Sequence, residues 1–244
     1  MIARILAVVA LVAAVGTAHA YELLRVDRNP CRRDDQNLFW RSAGVPVSVS
    51  ELAAPFDGLA VQAWQFWNAS LDRFRFSSGS AAPCTRDGVV AVGIGGAPCG
   101  GGSFGDALAI TFSVWRDSGE LVDSDVMFKD NTFVLDDDRV FRQVAMHELG
   151  HALGLDHSDA CGRSGDGTLM RAVLVSPILD APQADDIEGA NAVYHLQGGG
   201  NGTVPSGANS CAVVPARRAD GVALPWIVMA LVLAWRRLRF RAGN

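Results

Sequence analysis

The most strongly predicted helix of the chain lies in the stretch "DDDRVFRQVAMHELGHALGLDHS", residues 136–158. Three aspartates open this stretch and supply a capping side chain and negative charge, which the N-terminal end of the helix dipole favours. Two valines and two histidines then recur at steps of four, three and four residues: Val140, Val144, His147 and His151. Residues at this spacing share one helix face, so the stretch predicts two imidazoles side by side on a rigid element.

The histidine cluster within this stretch predicts a metal centre. Three of the five histidines of the chain lie in residues 147–158. Because glycine tolerates the left-handed conformation that ends a helix, Gly154 can turn the chain and bring His157 back to the same point. Three protein ligands leave one tetrahedral position for water, as in catalytic zinc sites. We therefore predict that His147, His151 and His157 bind one Zn2+; the alternative is that they serve packing or surface roles.

Glu148 is the predicted general base. It follows the first predicted ligand and lies off the ligand face of the helix. A carboxylate at this position can reach a water on the metal, whose pKa zinc lowers from about 16 towards about 7. The spacing therefore predicts one metal ion, one water and one base beside them.

The string "HELGHALGLDHS" contains the H-E-x-x-H-x-x-G-x-x-H signature of the metzincins, and the chain resembles a metzincin metallopeptidase of the matrixin branch. Met170 in "GTLM" is similar to the Met-turn of that family. The segment "GELVDSDVMFKDN" is similar to the strand before its active-site helix, and "QADDIEGANAVYH" to its closing helix. The likeness covers most of residues 41–196.

This resemblance implies an α+β fold of the zincin type, with a twisted five-stranded mixed sheet and three helices. It implies a zinc endopeptidase whose protein or peptide substrate lies antiparallel to an edge strand, a form of β-augmentation. Met170 would form a hydrophobic floor beneath the zinc without binding it; the alternative is an ordinary core methionine. Two other functions stay open: a catalytically inactive zinc-binding surface or adhesion protein, and a hydrolase of a non-protein envelope polymer.

The chain also departs from the matrixin pattern. Met170 follows His157 by thirteen residues, a longer interval than usual, and we predict that the insert "SDACGRSGDG" forms a loop near the cleft tied by a disulfide. No histidine lies between residues 21 and 147, so the second, structural zinc of animal matrixins is expected to be absent. Three aspartates are candidate calcium ligands: Asp123, Asp125 and Asp130. The alternative is that they are solvated carboxylates in loops.

The rest of the body predicts short strands and one further helix. The runs "VPVSVS", "DGVVAVGIGG" and "ALAITFSVW" read as strands, and "GELVDSDVMF" as a strand pair or a strand with a turn. The stretch "LAVQAWQFWNASLDRFRF" repeats its large apolar residues at three- and four-residue steps from Leu59 to Phe74. This spacing predicts an amphipathic helix whose aromatic stripe belongs to the core.

Both ends of the chain differ in composition from this body. Residues 1–20 have one arginine, an apolar run and an A-x-A site, which predicts a cleaved secretory signal peptide. A matrixin-like domain is predicted over 21–197 and a Gly- and Ser-rich flexible linker over 198–220. Residues 221–244 combine an apolar run with four arginines, as in tripartite envelope sorting signals or a plain tail anchor. Cys211 in "GANSCAVVP" is a candidate for the sorting motif.

The cysteine content indicates the compartment of the protein, and its net charge indicates which partners it can bind. In an exported chain disulfides are expected, and without Cys211 four cysteines allow two bridges in three pairings: Cys31, Cys84, Cys99 and Cys161. The segment "RNPCRRDD" with Cys31 is also the part of the chain most similar to the cysteine-containing propeptide switch of matrixins. Residues 21–200 carry 14 Lys and Arg against 25 Asp and Glu, a net charge of −11, which is a poor match for nucleic acid. We expect an exported monomer that contacts a membrane through its C-terminal tail.

Overall fold

The computed structural model describes residues 21–32, 34–174 and 176–194, and the backbone of residues 195 and 207–215. The strands in these residues are β1 (Glu22–Leu23), β2 (Phe39–Trp40), β3 (Gly44–Ser48), β4 (Arg75–Ser78), β5 (Val90–Gly95), β6 (Ala109–Trp115), β7 (Glu120–Lys129), β8 (Leu155–Asp156), β9 (Val173–Leu174) and β10 (Gly207–Pro215). The α-helices are α1 (Phe56–Ser70), α2 (Asp138–Ala152) and α3 (Ala184–His195).

A mixed five-stranded sheet forms the centre of the molecule, in the order β4-β3-β5-β7-β6. Neighbouring strands are parallel except at the last pair, where β6 runs antiparallel to β7. Within the described residues this sheet is accompanied by three α-helices, so the predicted fold class is confirmed. The short β2 pairs with the beginning of β7, and β10 continues the sheet beyond β6.

Two predicted elements differ from the observed ones. The run at 119–128 was open between a strand pair and a strand with a turn, and the structure has one ten-residue strand, β7. It stays extended because β5 on one side and β6 on the other accept and donate its ladder hydrogen bonds. The predicted helix from Leu59 to Phe74 ends at Ser70 as α1, because the following residues enter β4 and pair with β3.

Helices α1 and α2 pack on the sheet through large aromatic side chains. Trp67 of α1 is fully buried, and its indole nitrogen donates a 2.8 Å hydrogen bond to the carbonyl of Met146 in α2. Phe141 of α2 stacks on Phe128 of β7, with ring centroids 4.3 Å apart. The aromatic stripe of α1 therefore belongs to the core, as its spacing predicted, and it holds α2 in place.

Two disulfides cross-link the described residues, Cys31–Cys161 and Cys84–Cys99. The first ties the insert after the third histidine to the N-terminal segment, as expected for that loop. It spans 130 residues and the second spans 15, so a chain-entropy estimate gives about 5 and about 3 kcal/mol of stabilisation. Because disulfides persist in oxidising compartments, the pair indicates an extracellular protein.

The predicted signal peptide and C-terminal tail lie outside the described residues. Among the helices that the structure does describe, none has the length and apolar character needed to cross a membrane. Part of the predicted linker, 198–220, is described, and it is strand β10 rather than open chain. Glycine- and serine-rich sequence seldom forms a strand alone, but β6 offers it a complete row of backbone partners.

Candidate metal centre

Helix α2 begins and ends as its sequence dictates. The side chain of Asp137 accepts hydrogen bonds from the backbone N–H groups of Arg139 and Val140, which caps the first turn. The face of the helix that carries His147 and His151 is buried, with 2% and 0% of these residues exposed. The two imidazoles therefore project from a rigid, capped and buried helix.

Gly154 turns the chain at the end of this helix. Its φ of +100° lies in the left-handed region, and a Cβ at this position would lie 2.5 Å from the carbonyl oxygen of Leu38. Only glycine satisfies both conditions without strain. The chain then forms β8, which pairs with β1, and places His157 beside the two helical histidines.

Backbone carbonyls fix the orientation of two of the imidazoles. Nδ1 of His147 donates to the carbonyl of Leu169, and Nδ1 of His151 donates to that of Leu155, both over 2.8 Å. A neutral imidazole has one N–H, so these bonds leave each Nε2 with a free lone pair. The Nε2 atoms of His151 and His157 are 3.2 Å apart, and one nitrogen from each of the three rings lies within 4.8 Å of the others.

This arrangement fits a zinc ion. Nε2 of His147 is buried and has no hydrogen-bond partner in the described structure, which is costly unless something else binds it. Burial, assisted by the neighbouring His157, lowers the pKa of His147 to about 3, and burial also lowers the pKa of His151 and of His157. The imidazoles are therefore neutral at physiological pH, which is the form that binds metal.

Glu148 lies under the same site and is fully buried. Its Oε2 accepts a 2.6 Å hydrogen bond from the hydroxyl of Thr111, which also bonds to the Glu148 backbone carbonyl over 3.0 Å. Thr111 is the third residue of β6, so the core sheet holds one carboxylate oxygen in place. Sequence reasoning missed Thr111, because nothing in "ALAITFSVW" shows which residue of the strand faces the helix 37 residues away.

The segment after the insert closes the site from below. Met170 is buried, and a Cβ placed on Gly150 of α2 would collide with its sulfur. The carboxylate of Asp186 in α3 accepts hydrogen bonds from the backbone N–H groups of Leu169 and Met170, at 2.9 and 3.1 Å. Leu169 in turn supplies the carbonyl that orients His147. Sequence reasoning missed Asp186 too, although the first turn of "QADDIEGANAVYH" contains it.

We expect Asp186→Ala to weaken zinc binding by about 10- to 100-fold, because the turn that carries the Leu169 carbonyl loses two anchoring hydrogen bonds. A competition titration against a chromophoric chelator measures the dissociation constant. Asp185→Ala is the control, since it removes the neighbouring charge and leaves the Asp186 carboxylate in place. Wild-type zinc affinity in Asp186→Ala would show that the turn is held by other contacts.

Two of the three aspartates considered for calcium have another role in the structure. Asp125 accepts backbone hydrogen bonds from Cys84 and Ala91, and Asp123 accepts them from Asp87 and Gly88. Both are buried on β7, so they are not solvated loop carboxylates, and burial raises the pKa of Asp123 to about 6 and of Asp125 to about 7. Within the described residues, one group of three or more His, Cys, Asp or Glu side chains is close enough together to hold a metal ion, and it is the histidine triad.

The comparison with protein families agrees with this geometry. Residues 94–195 match the Matrixin family, a segment that runs from the end of β5 through the whole histidine triad to the end of α3. The chain therefore contains a matrixin domain, a member of the metzincin group of metalloendopeptidases. Among solved structures the chain is similar to the GM1-bound form of the ECX AB5 holotoxin, at 15% identity and a TM-score of 0.42, over 64% of this chain and 84% of that one. No curated protein matches the sequence.

Proposed function

We propose that this protein is an exported zinc endopeptidase in which His147, His151 and His157 hold the metal and Glu148 is the general base. The observation that carries the proposal is the convergence of three ring nitrogens within 4.8 Å of one another, one of them buried with no hydrogen-bond partner. Gly154 and Met170 have supporting roles: the first returns His157 to the site, and the second packs against the ligand helix.

The residues of the site divide the chemistry between them. When bound, zinc supplies Lewis acidity that polarises the scissile carbonyl and lowers the pKa of water. Glu148 takes the proton of the attacking water and delivers it to the leaving amine nitrogen. The Thr111 hydroxyl holds Oε2 of Glu148 by a 2.6 Å bond, so the carboxylate is positioned before the substrate arrives. The burial of His147 and His151 and the partial burial of His157 lower the pKa of all three imidazoles, which keeps them neutral and available to the metal.

The core sheet suggests where a substrate binds. Strand β6 is the last of the five core strands, and Thr111 connects it directly to Glu148. An extended peptide that pairs with the outer edge of β6 would therefore cross the site at the level of the general base. This geometry supports a protein or peptide substrate. Export, membrane contact through the C-terminal tail and a monomeric state are further parts of the proposal, of which the two disulfides support export.

Hydrolysis of casein and of a quenched fluorescent peptide tests this function. We expect the purified full chain to cleave both, and o-phenanthroline to remove at least about 90% of the activity, because the chelator takes the metal that activates water. The non-chelating isomer m-phenanthroline is the control, and added Zn2+ should restore the rate.

Two results would favour the other functions. A chain that binds zinc stoichiometrically and cleaves no peptide supports an inactive surface protein. A chain that releases fragments from purified peptidoglycan but not from peptides supports an envelope polymer hydrolase.

A further inference from the structure

The edge of β6 that the proposed function reserves for substrate is occupied by the chain itself. Strand β10 pairs antiparallel with β6 over the whole length of β6, from Gly207 opposite Trp115 to Val213 opposite Ala109. On its other side the end of β10 pairs in parallel with β9, with Val214 opposite Val173. A single segment is thus held between the sheet and the loop that follows Met170, in the antiparallel direction expected of a substrate.

The register places the middle of this segment at the catalytic level. Cys211 lies opposite Thr111, the residue whose hydroxyl bonds to Glu148. The backbone of β10 also lies against α2, the helix that carries the first two histidines. A peptide substrate cannot pair with the same row of β6 backbone groups while β10 is there.

The composition and connection of β10 favour reversible binding. Its sequence, "GANSCAVVP", comes from a stretch predicted to be a linker, so its order depends on what β6 provides. Eleven residues, 196–206, separate it along the chain from the end of α3. A tether this short gives the segment an effective concentration on the order of 1 mM at the groove.

We propose that Gly207–Pro215 is an intramolecular competitor of substrate, which keeps the groove occupied until it is displaced. The proposal rests on the proposed function, because the competition is for its peptide-binding edge. A competitor in the same chain multiplies KM by a factor, which is one plus the ratio of its effective concentration to its dissociation constant. It leaves kcat unchanged. For a segment that alone binds with a dissociation constant of about 0.1 mM, the factor is about 10.

The double variant Ala212→Pro/Val213→Pro in the full chain tests this. Successive N–H groups of a strand point to opposite sides, so two adjacent prolines remove at least one hydrogen bond to β6. We expect KM for a quenched peptide to fall about 10-fold with kcat unchanged. Asn201→Pro/Gly202→Pro, in the segment before β10, is the matched control and should keep the wild-type KM. Equal KM values in both double variants would overturn the proposal, as would self-cleavage within 207–215, which would make the segment a substrate.

A binding measurement separates this proposal from the proposed function. The measurement uses chains that carry Glu148→Gln, because binding can be measured without catalysis. Fluorescein-labelled GANSCAVVP serves as the probe, and fluorescence anisotropy reports its affinity. We expect it to bind about 10-fold more tightly when β10 carries the two prolines. That result supports the competition even if no peptide is ever hydrolysed. Equal affinity, with zinc content and thermal stability unchanged, rejects the competition even if the enzyme is active.

Discussion

Replacing Glu148 with glutamine is expected to lower kcat/KM for a peptide substrate by about 10³-fold while the protein keeps one zinc ion per chain. Glutamine has nearly the shape of glutamate and can still accept the hydrogen bond from Thr111, so the sheet and α2 should stay in register. It cannot take a proton from water at neutral pH, however. The variant therefore removes the proposed base and leaves the proposed metal ligands in place.

The loss should appear in kcat, because proton transfer contributes in the transition state and not in substrate binding. Steady-state kinetics and zinc analysis of the same sample give the result. Glu51→Gln makes the same chemical change on an exposed glutamate of the chain and should behave as wild type. Near-wild-type hydrolysis by Glu148→Gln would assign the proton transfer to another group.

Replacing His151 with alanine is expected to remove both the metal and the activity. His151 is fully buried, and its Nε2 is 3.2 Å from that of His157, so it lies in the interior of the triad. Without it two imidazoles remain, too few for the three-ligand set of a catalytic zinc site. We expect less than about 0.1 zinc per chain after dialysis against metal-free buffer.

Elemental analysis by mass spectrometry measures the zinc content, and circular dichroism checks that the variant is folded. His195→Ala is the matched control: His195 is the last residue of α3 and is not one of the three proposed ligands, so its replacement should keep both zinc and activity. Stoichiometric zinc in folded His151→Ala would refute the proposed ligand set.

Local sequence predicted the central helix of the site because its determinants lie within one or two turns. The cap at Asp137, the step of four between His147 and His151, and the glycine after the helix are all readable from neighbours along the chain. Strands β3, β5 and β6 and the core role of the α1 aromatics were predicted for the same reason, whereas β4 was not predicted. The end of α1 was not, because the competing partner of the next segment is a distant strand, β3.

What the sequence by itself determined about this protein is the element that carries the proposed metal ligands: a capped helix, a glycine turn and three histidines at fixed spacing. The tertiary structure alone decided what surrounds it. Thr111 reaches Glu148 across 37 positions and Asp186 holds the turn below the site. The pairing of four cysteines and the docking of β10 on β6 were likewise open from sequence. Periodicity and capping act over a few residues, whereas these contacts depend on where the folded chain brings distant segments together.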